Sequence, residues 1–222
     1  MSANLKRGCG ILLIASVVLL SILALLPEAD VDHDAGYISS ELNIQETVDG
    51  SVTGTSYVNS DGVITEAIDM DYATVCRMWD ENGRIIGERY LDANGDPVAR
   101  YDDYYGVSYE YDETSTVITY LDAEGNPIIR SDGYSTIIRT QIDSMASEDF
   151  YYDLDGQQVQ CSGGYYGLQH WYNSDGQNTG MTFLDKDGHA VCSSSGYAGV
   201  TYQCNMDGTV VGQQYFDTEG NP

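Results

Sequence analysis

The side chains best suited to binding a ligand are aromatic residues that recur at regular intervals beside acidic or amide side chains. Trp79 is followed by Asp80, and Tyr172 is followed by Asn173. An exposed ring next to such an oxygen can contact a carbohydrate, a cationic group or another protein. The candidate contact residues are Trp79, Tyr111, Trp171 and Tyr172, together with Tyr104, Tyr165 and Tyr197. The alternative is that the same rings form a core.

Acidic residues at alternate positions could hold a calcium ion. Asp153 and Asp155 stand two residues apart, as do Asp185 and Asp187, and calcium loops place oxygen ligands in this way. None of these segments has the longer loop that ends in a ligating glutamate. Because Asp is also a common turn former, the sequence favours a structural role for these residues and predicts no metal site.

Four cysteines follow the N-terminal segment, at positions 76, 161, 192 and 204. An even number in an oxidising compartment permits disulfides. Cys161 comes ten residues after Tyr151, and Cys192 comes nine after Phe183. If these two segments stack, a Cys161–Cys192 disulfide could form. The alternative is four free buried thiols, and no Cys or His spacing indicates zinc.

Recognisable catalytic motifs are absent from the sequence. His33 lies in an acidic segment, His170 adjoins Trp171, and His189 follows a turn glycine. No nucleophile elbow, phosphate loop or HExxH motif occurs. The sequence therefore predicts a protein that is not an enzyme and that uses no cofactor.

An internal repeat with a period of about 32 residues positions the candidate side chains. The pattern aromatic-x-Asp-x-x-Gly begins at Tyr90, Tyr120, Tyr151, Phe183 and Tyr215, with an imperfect copy at Tyr57. A second pattern runs in step with it, at Tyr72/Val75, Tyr104/Val107, Tyr134/Ile137, Tyr165/Leu168 and Tyr197/Val200. Units of this length cannot bury their own apolar face and are typical of a stacked array.

The Asp-x-x-Gly step predicts a tight turn. The carboxylate can accept a hydrogen bond from the amide two residues on, and glycine tolerates a positive φ. Segments such as residues 107–111 alternate aromatic or β-branched residues with polar ones, which is typical of half-buried strands. We therefore predict an all-β fold, an elongated array of stacked β-hairpins with a ladder of tyrosines as its core. A solenoid and a twisted meander both satisfy the pattern.

The N-terminal segment predicts a membrane anchor. Residues 1–8 are basic, residues 9–26 carry no charge, and acidic residues follow. Such a stretch is at the short end of what spans a bilayer as a helix, and the charge order places the N-terminus in the cytoplasm and the rest outside. A cleaved signal peptide is the alternative. We expect an acidic linker and a degenerate capping unit over residues 27–56, and the repeat domain over 57–222.

Beyond the predicted anchor the chain is strongly acidic. Seven basic residues stand against 35 acidic ones, which gives a net charge of −28. Nucleic acids and anionic lipids are polyanions, so the charge argues against both as partners. Turn aspartates and solubility account for most of this charge, and the remainder is compatible with a cationic ligand or with loosely held divalent ions.

Residues 169–176 and 183–188 read QHWYNSDG and FLDKDG. They resemble the aromatic–glycine hairpin repeats of choline-binding and other cell-wall-binding proteins of bacterial surfaces. Residues 90–95 and 111–112 also resemble the tyrosine–aspartate (Rhs-type) repeats. The period here is longer than in either family, and only two residues are tryptophan, which departs from the aromatic cage that holds choline.

The resemblance implies a hairpin array displayed on a bacterial surface. Together with the predicted anchor, it leads us to expect a single-pass protein of the bacterial cell membrane with its C-terminal domain outside. The expected function is non-catalytic binding, and the expected partner is a cell-wall polymer, a carbohydrate or a surface protein. The alternative is a structural spacer without a ligand.

Overall fold

The computed structural model describes residues 43–66, 70–101, 103–205 and 209–222. Within these ranges the chain forms twelve β-strands and no helix. The strands are β1 Asn43–Asp49, β2 Val52–Val58, β3 Thr74–Trp79, β4 Ile85–Leu91, β5 Gly106–Tyr111, β6 Ser115–Leu121, β7 Thr136–Asp143, β8 Ala146–Tyr152, β9 Gly167–Tyr172, β10 Asn178–Leu184, β11 Gly199–Cys204 and β12 Val210–Phe216. The anchor predicted over residues 9–26 lies outside the described residues. The described ranges contain no helix that is long and apolar enough to cross a membrane.

All twelve strands belong to one open antiparallel sheet, in which each strand pairs with the one that follows it in the chain. Chain order and sheet order coincide, so the sheet is a meander. In the described part of the chain, strands contact only their sequence neighbours. The sheet is therefore a single layer with β1 and β12 at its edges, and the prediction of an all-β, hairpin-rich fold is confirmed.

The turns form as the Asp-x-x-Gly pattern predicts. After β4, the Oδ1 of Asp92 accepts hydrogen bonds from the amides of Asn94 at 2.8 Å and Asp96 at 2.9 Å. Gly95 in the same turn has a φ of 89°, which glycine adopts without a Cβ clash. The same two hydrogen bonds recur at Asn59, Asp153, Asp185 and Asp217. Each of these turns ends an even-numbered strand.

One face of the sheet carries an unbroken row of aromatic rings, which we call the ring ladder. Its members are Tyr57, Tyr72, Tyr90, Tyr104, Tyr120, Tyr134, Tyr151, Tyr165, Phe183, Tyr197 and Tyr215. Ring centroids lie 4.4 to 5.2 Å apart within a hairpin and 5.5 to 6.1 Å apart between hairpins. Each such pair contributes about 0.5–1.5 kcal/mol beyond ring burial. The predicted tyrosine core is confirmed.

Aliphatic side chains pair with the ladder and fix which residues face it. The cross-strand pairs are Val75 with Tyr90, Val107 with Tyr120, Ile137 with Tyr151, Leu168 with Phe183, and Val200 with Tyr215. Successive side chains of a strand point to opposite faces. On β9, Leu168, His170 and Tyr172 therefore share the ladder face, whereas Gln169 and Trp171 point to the opposite face.

The first hairpin lies mostly in the segment predicted to be a linker and a capping unit. β1 pairs with β2 from Asn43 opposite Val58 to Asp49 opposite Val52. β2 in turn pairs with β3, so this hairpin belongs to the same sheet. Residues 27–42 of the segment lie outside the described residues.

Candidate functional site

Three of the seven candidate contact residues are members of the ring ladder. Tyr104, Tyr165 and Tyr197 are half-buried. Each has a neighbouring ring of its own hairpin close by, at centroid distances of 4.9, 4.5 and 4.4 Å. Their rings therefore pack mainly against other side chains of the protein.

Two arginines cover the ladder where a cationic ligand would otherwise bind. The guanidinium of Arg130 lies 4.5 to 5.3 Å from the ring centroids of Tyr104, Tyr120 and Tyr134, and its Nε donates to Asp103 at 2.7 Å. Arg100 lies in the same way over Tyr72, Tyr90 and Tyr101, at 4.6 to 5.1 Å. These cation–π contacts mean that the protein itself supplies the cation for this part of the ladder.

Three further candidates support the hairpin ends. Trp79 donates from Nε1 to Thr53 at 2.9 Å, and the Tyr111 hydroxyl donates to the carbonyl oxygen of Ile85 at 2.7 Å. The Tyr172 hydroxyl lies 3.3 Å from that of Ser147. All three aromatic residues are half-buried, and their polar atoms are engaged within the protein.

Trp171 differs from the other six candidates because it lies on the opposite face and is 42% exposed. Its Nε1 donates to the hydroxyl of Thr182 on β10 at 3.3 Å, which holds the indole across the strand. Its cross-strand neighbours are Ala146 on β8 and Gly180 on β10. Both neighbours are small, so neither presents a large side chain to the ring.

Polar side chains surround this ring and form with it what we call the Trp171 platform: Trp171, Thr182, Gln169 and Glu148. The amide of Gln169 donates to a carboxylate oxygen of Glu148 at 3.2 Å, and Thr182 stands opposite Gln169 in the sheet. All three polar residues are half-buried. A Cβ at Gly180 would lie 2.5 Å from the carbonyl oxygen of Val200, so the glycine allows β11 to approach β10 closely beside the indole.

A buried polar cluster joins β7, β8 and β9 on the ladder face. Arg139 donates to the two carboxylate oxygens of Asp149 at 2.6 Å each, and the Nε2 of His170 lies 3.3 Å from Asp149 Oδ2. Arg139 and Asp149 are 3% and 0% exposed. Burial alone would raise the pKa of Asp149, but Arg139 and His170 hold this pKa below its usual range.

This cluster has the residue types of a hydrolase triad without its geometry. Ser147 stands opposite His170 in the register of β8 and β9, but its hydroxyl pairs with that of Tyr172. The two ring nitrogens of His170 face Asp149 at 3.3 Å and Asn178 at 3.4 Å. Because no His170 nitrogen is aimed at the serine, the cluster is suited to stabilising the sheet and not to activating a nucleophile.

A second charged pair occupies the equivalent place in β3 and β4. Arg77 donates to Glu88 at 2.7 Å, and the hydroxyls of Tyr90 and Tyr109 donate to the other carboxylate oxygen at 3.2 and 3.4 Å. Neither charged pair was predicted from the sequence, although the sequence contains a signal for both. Arg77 and Arg139 each follow a ladder tyrosine by five residues, and Glu88 and Asp149 each precede one by two.

The carboxylates of the turn aspartates accept hydrogen bonds from backbone amides. Each of four turn aspartates accepts a hydrogen bond from the backbone amide four residues on, and this bond is the main cause that lowers its pKa. The aspartates are Asp92, Asp122, Asp185 and Asp217, and the corresponding amides are those of Asp96, Asn126, His189 and Asn221. Across the described ranges, no group of three or more His, Cys, Asp or Glu side chains is placed to hold a metal ion. The turn geometry accounts for these carboxylates without an ion.

The structure does not contain the disulfide considered between Cys161 and Cys192, and both thiols are free. Cys161 is buried within the core around the ladder, whereas Cys192 is exposed. The amide of Cys161 bonds to the carbonyl of Tyr165, and the equivalent bond is made by Ser193 to Tyr197. Ser193, and not Cys192, therefore occupies the position that corresponds to Cys161.

Comparison with known proteins gives no assignment. No family model matches the chain, and no curated protein matches it. A functional proposal therefore rests on the geometry of the two faces of the sheet.

Proposed function

We propose that this chain is a non-catalytic, membrane-anchored repeat protein of a bacterial surface. It binds a cell-envelope polymer, a carbohydrate or a surface protein through the Trp171 platform. The observation that carries the proposal is the 42% exposure of Trp171 on a face of the sheet that the ring ladder does not use. A tryptophan left open in this way offers a large apolar contact area with a polar handle.

The chemistry of the platform favours an uncharged or cationic ligand. Glu148 contributes a carboxylate, and the amide of Gln169 and the hydroxyl of Thr182 add donors and acceptors around the ring. The net charge of −28 beyond residue 26 repels polyanions. A carbohydrate segment can stack on the indole while its hydroxyls bond to these groups, so carbohydrate is the leading ligand class.

Display outside the cell is supported by the uncharged stretch at residues 9–26 and by the resemblance to bacterial surface repeats. A stacked array with a period of about 32 residues is supported by the odd-numbered strands, which begin at residues 74, 106, 136, 167 and 199. Such an array holds a binding face away from its attachment point.

Retention of the full chain, in a mild detergent, on purified bacterial cell walls tests the proposal. We expect the wild type to be retained and to be released by soluble wall carbohydrate. The Trp171→Ala variant should lose about tenfold in affinity, equivalent to about 1.4 kcal/mol. The control is Leu154→Ala, which removes an exposed apolar side chain from a loop and should bind as the wild type does. Equal retention of both variants would contradict the assignment of the platform.

A structural spacer is the second candidate function. It is favoured by the ring ladder, which links every hairpin from β2 to β12 in a single layer. The same experiment separates the two functions, because a spacer is not retained on cell walls in either the wild type or the variants.

A further inference from the structure

Three successive strands at and beside Trp171 carry no formal charge. β9, β10 and β11 contain no Asp, Glu, Lys or Arg, although the chain has 35 acidic and 9 basic residues. From β1 to β8, no two successive strands are free of such residues. His170 of β9 is buried on the ladder face. The opposite face of these three strands is therefore neutral.

Trp171, Gly180 and Thr201 form one row across this neutral face. Gly180 stands opposite Trp171 on β9 and opposite Thr201 on β11. The indole bonds to Thr182 of β10, so it extends over β10 in the direction of β11. A Cβ at Gly180 would lie 2.5 Å from the carbonyl oxygen of Val200, which restricts this position to glycine. The row therefore has no side chain between the indole and Thr201.

Hydroxyl and amide groups border the row and can bond to a ligand. Thr201 is exposed, and its hydroxyl donates to the carbonyl oxygen of Gln214 at 3.4 Å, which leaves the hydroxyl oxygen able to accept. The hydroxyl of Thr182 accepts from the indole and keeps its own proton as a donor. The amide oxygen of Gln169 adds an acceptor. These neutral groups match the hydroxyls of a sugar, which both donate and accept hydrogen bonds.

The composition of this face fits a neutral glycan better than a protein or a charged polymer. In β9, β10 and β11, all of which the structure describes, Trp171 is the only exposed large hydrophobic side chain, whereas the centre of a protein interface is apolar. The net charge of −28 beyond residue 26 repels polyanions. A polycation would find no carboxylate on these three strands. A neutral glycan needs only an aromatic ring to stack on and polar groups to bond to.

We propose, on the basis of the function proposed above, that a linear, uncharged glycan lies across β9, β10 and β11. Its course over Trp171, Gly180 and Thr201 is what we call the glycan path. Neighbouring strands lie about 4.7–4.9 Å apart, which is close to the length of one sugar residue in an extended glycan. One sugar stacks on the indole, the chain continues over β10, and the third sugar reaches the hydroxyl of Thr201. Three sugars therefore fill the glycan path.

Isothermal titration calorimetry of the full chain in a mild detergent tests the length and the charge of the ligand. The probes are fragments of chitin and of cellulose, which are linear and uncharged, in lengths from one to four sugars. In at least one of the two series we expect the affinity to rise about threefold to tenfold from the disaccharide to the trisaccharide, because a hydrogen bond is added, and then to level off. The affinity should change less than about twofold between about 50 and 500 mM salt, because no ion pair forms.

Two isosteric variants locate the path of the glycan. Thr201→Val removes only the hydroxyl at the end of the row, so it should weaken trisaccharide binding about threefold to tenfold and leave disaccharide binding unchanged. Thr140→Val is the matched control, because Thr140 lies on the same face of β7, two strands from β9 on the other side. It should bind every fragment as the wild type does, whereas Trp171→Ala should weaken binding at every length. Circular dichroism verifies that the variants fold.

The proposed function and the glycan path can fail separately. A wild-type chain that is not retained on cell walls would contradict the proposed function, and the glycan path with it. Retention that depends on Trp171 would leave the function standing. In that case the glycan path alone would be overturned if neither fragment series binds, if two and three sugars bind equally, if binding depends steeply on salt, or if Thr201→Val and Thr140→Val act alike.

Discussion

Tyr120 and Tyr134 join two hairpins, with ring centroids 6.0 Å apart and ring planes inclined at 66°. The guanidinium of Arg130 lies over both rings, 4.5 and 5.3 Å from their centroids. Tyr120 belongs to β6, and Tyr134 precedes β7. The contact between the two rings therefore connects one hairpin to the next. Equivalent ring pairs recur at every described hairpin junction from β2 onward.

Replacement of an interior ring should be far more costly than replacement of an exposed tyrosine. Tyr120→Ala removes a buried ring and leaves a cavity between two hairpins, so we expect a loss of about 3–5 kcal/mol in the free energy of unfolding. Tyr101→Ala removes an exposed ring whose main contacts are with Arg100 and should cost under about 1 kcal/mol. Urea denaturation measures both values, and equal losses would be inconsistent with a core built on the ladder.

The buried pair of Arg139 and Asp149 should be costly to break but not costly to replace. Asp149→Ala leaves a buried guanidinium without its carboxylate and should destabilise the fold by about 3–5 kcal/mol. The double variant Arg139→Met/Asp149→Leu removes both charges and should recover most of that loss. Denaturant titration of the two variants checks this, and a double variant as unstable as the single one would show that the ion pair itself is essential.

The turn carboxylates should make the fold sensitive to acid. Backbone amides hold the pKa values of Asp92 and Asp122 below their usual range. A depressed folded-state pKa contributes stability that is complete above the unfolded value, about 3.9, and that is lost as the pH falls through the folded value. We therefore expect stability to decrease below about pH 4.

Asparagine variants at these turns separate the effect of protonating the carboxylate from the effect of losing its hydrogen bonds. Asn59 and Asn173 already accept the same amide hydrogen bonds, so Asp92→Asn and Asp122→Asn keep the turn and remove the titration. Stability measured between about pH 2 and 6 should depend less steeply on pH in the double variant. An unchanged slope would exclude these two carboxylates as its source.

The sequence was sufficient to predict the hairpins, their turns and the tyrosine core. Each of these depends on local chemistry that repeats: glycine at a positive φ, an Asp side chain that bonds to amides, and rings at a fixed spacing. The roles of Gly95 in its turn and of Tyr120 in the ring ladder could be predicted without knowing which distant residues they contact.

The candidate site was harder to predict because Trp171 and Tyr172 are adjacent. Only one of two successive residues in a strand can face the core, and both residues were predicted from the sequence to be ligand contacts. Counting from Leu168, which pairs with a ladder ring, separates them, but this requires the register between β9 and β10. The pairing of Arg139 with Asp149 likewise depends on the register between β7 and β8.

A double-mutant cycle on Tyr120 and Tyr134 tests most directly whether the hairpins are held together through the ring ladder. The cycle compares the unfolding free energies of the wild type, Tyr120→Ala, Tyr134→Ala and the double variant. We predict a coupling energy of about 0.5–1.5 kcal/mol for this pair, whereas the distant pair Tyr120 and Tyr215 should be additive to within about 0.5 kcal/mol. Additive losses at Tyr120 and Tyr134 would contradict the account.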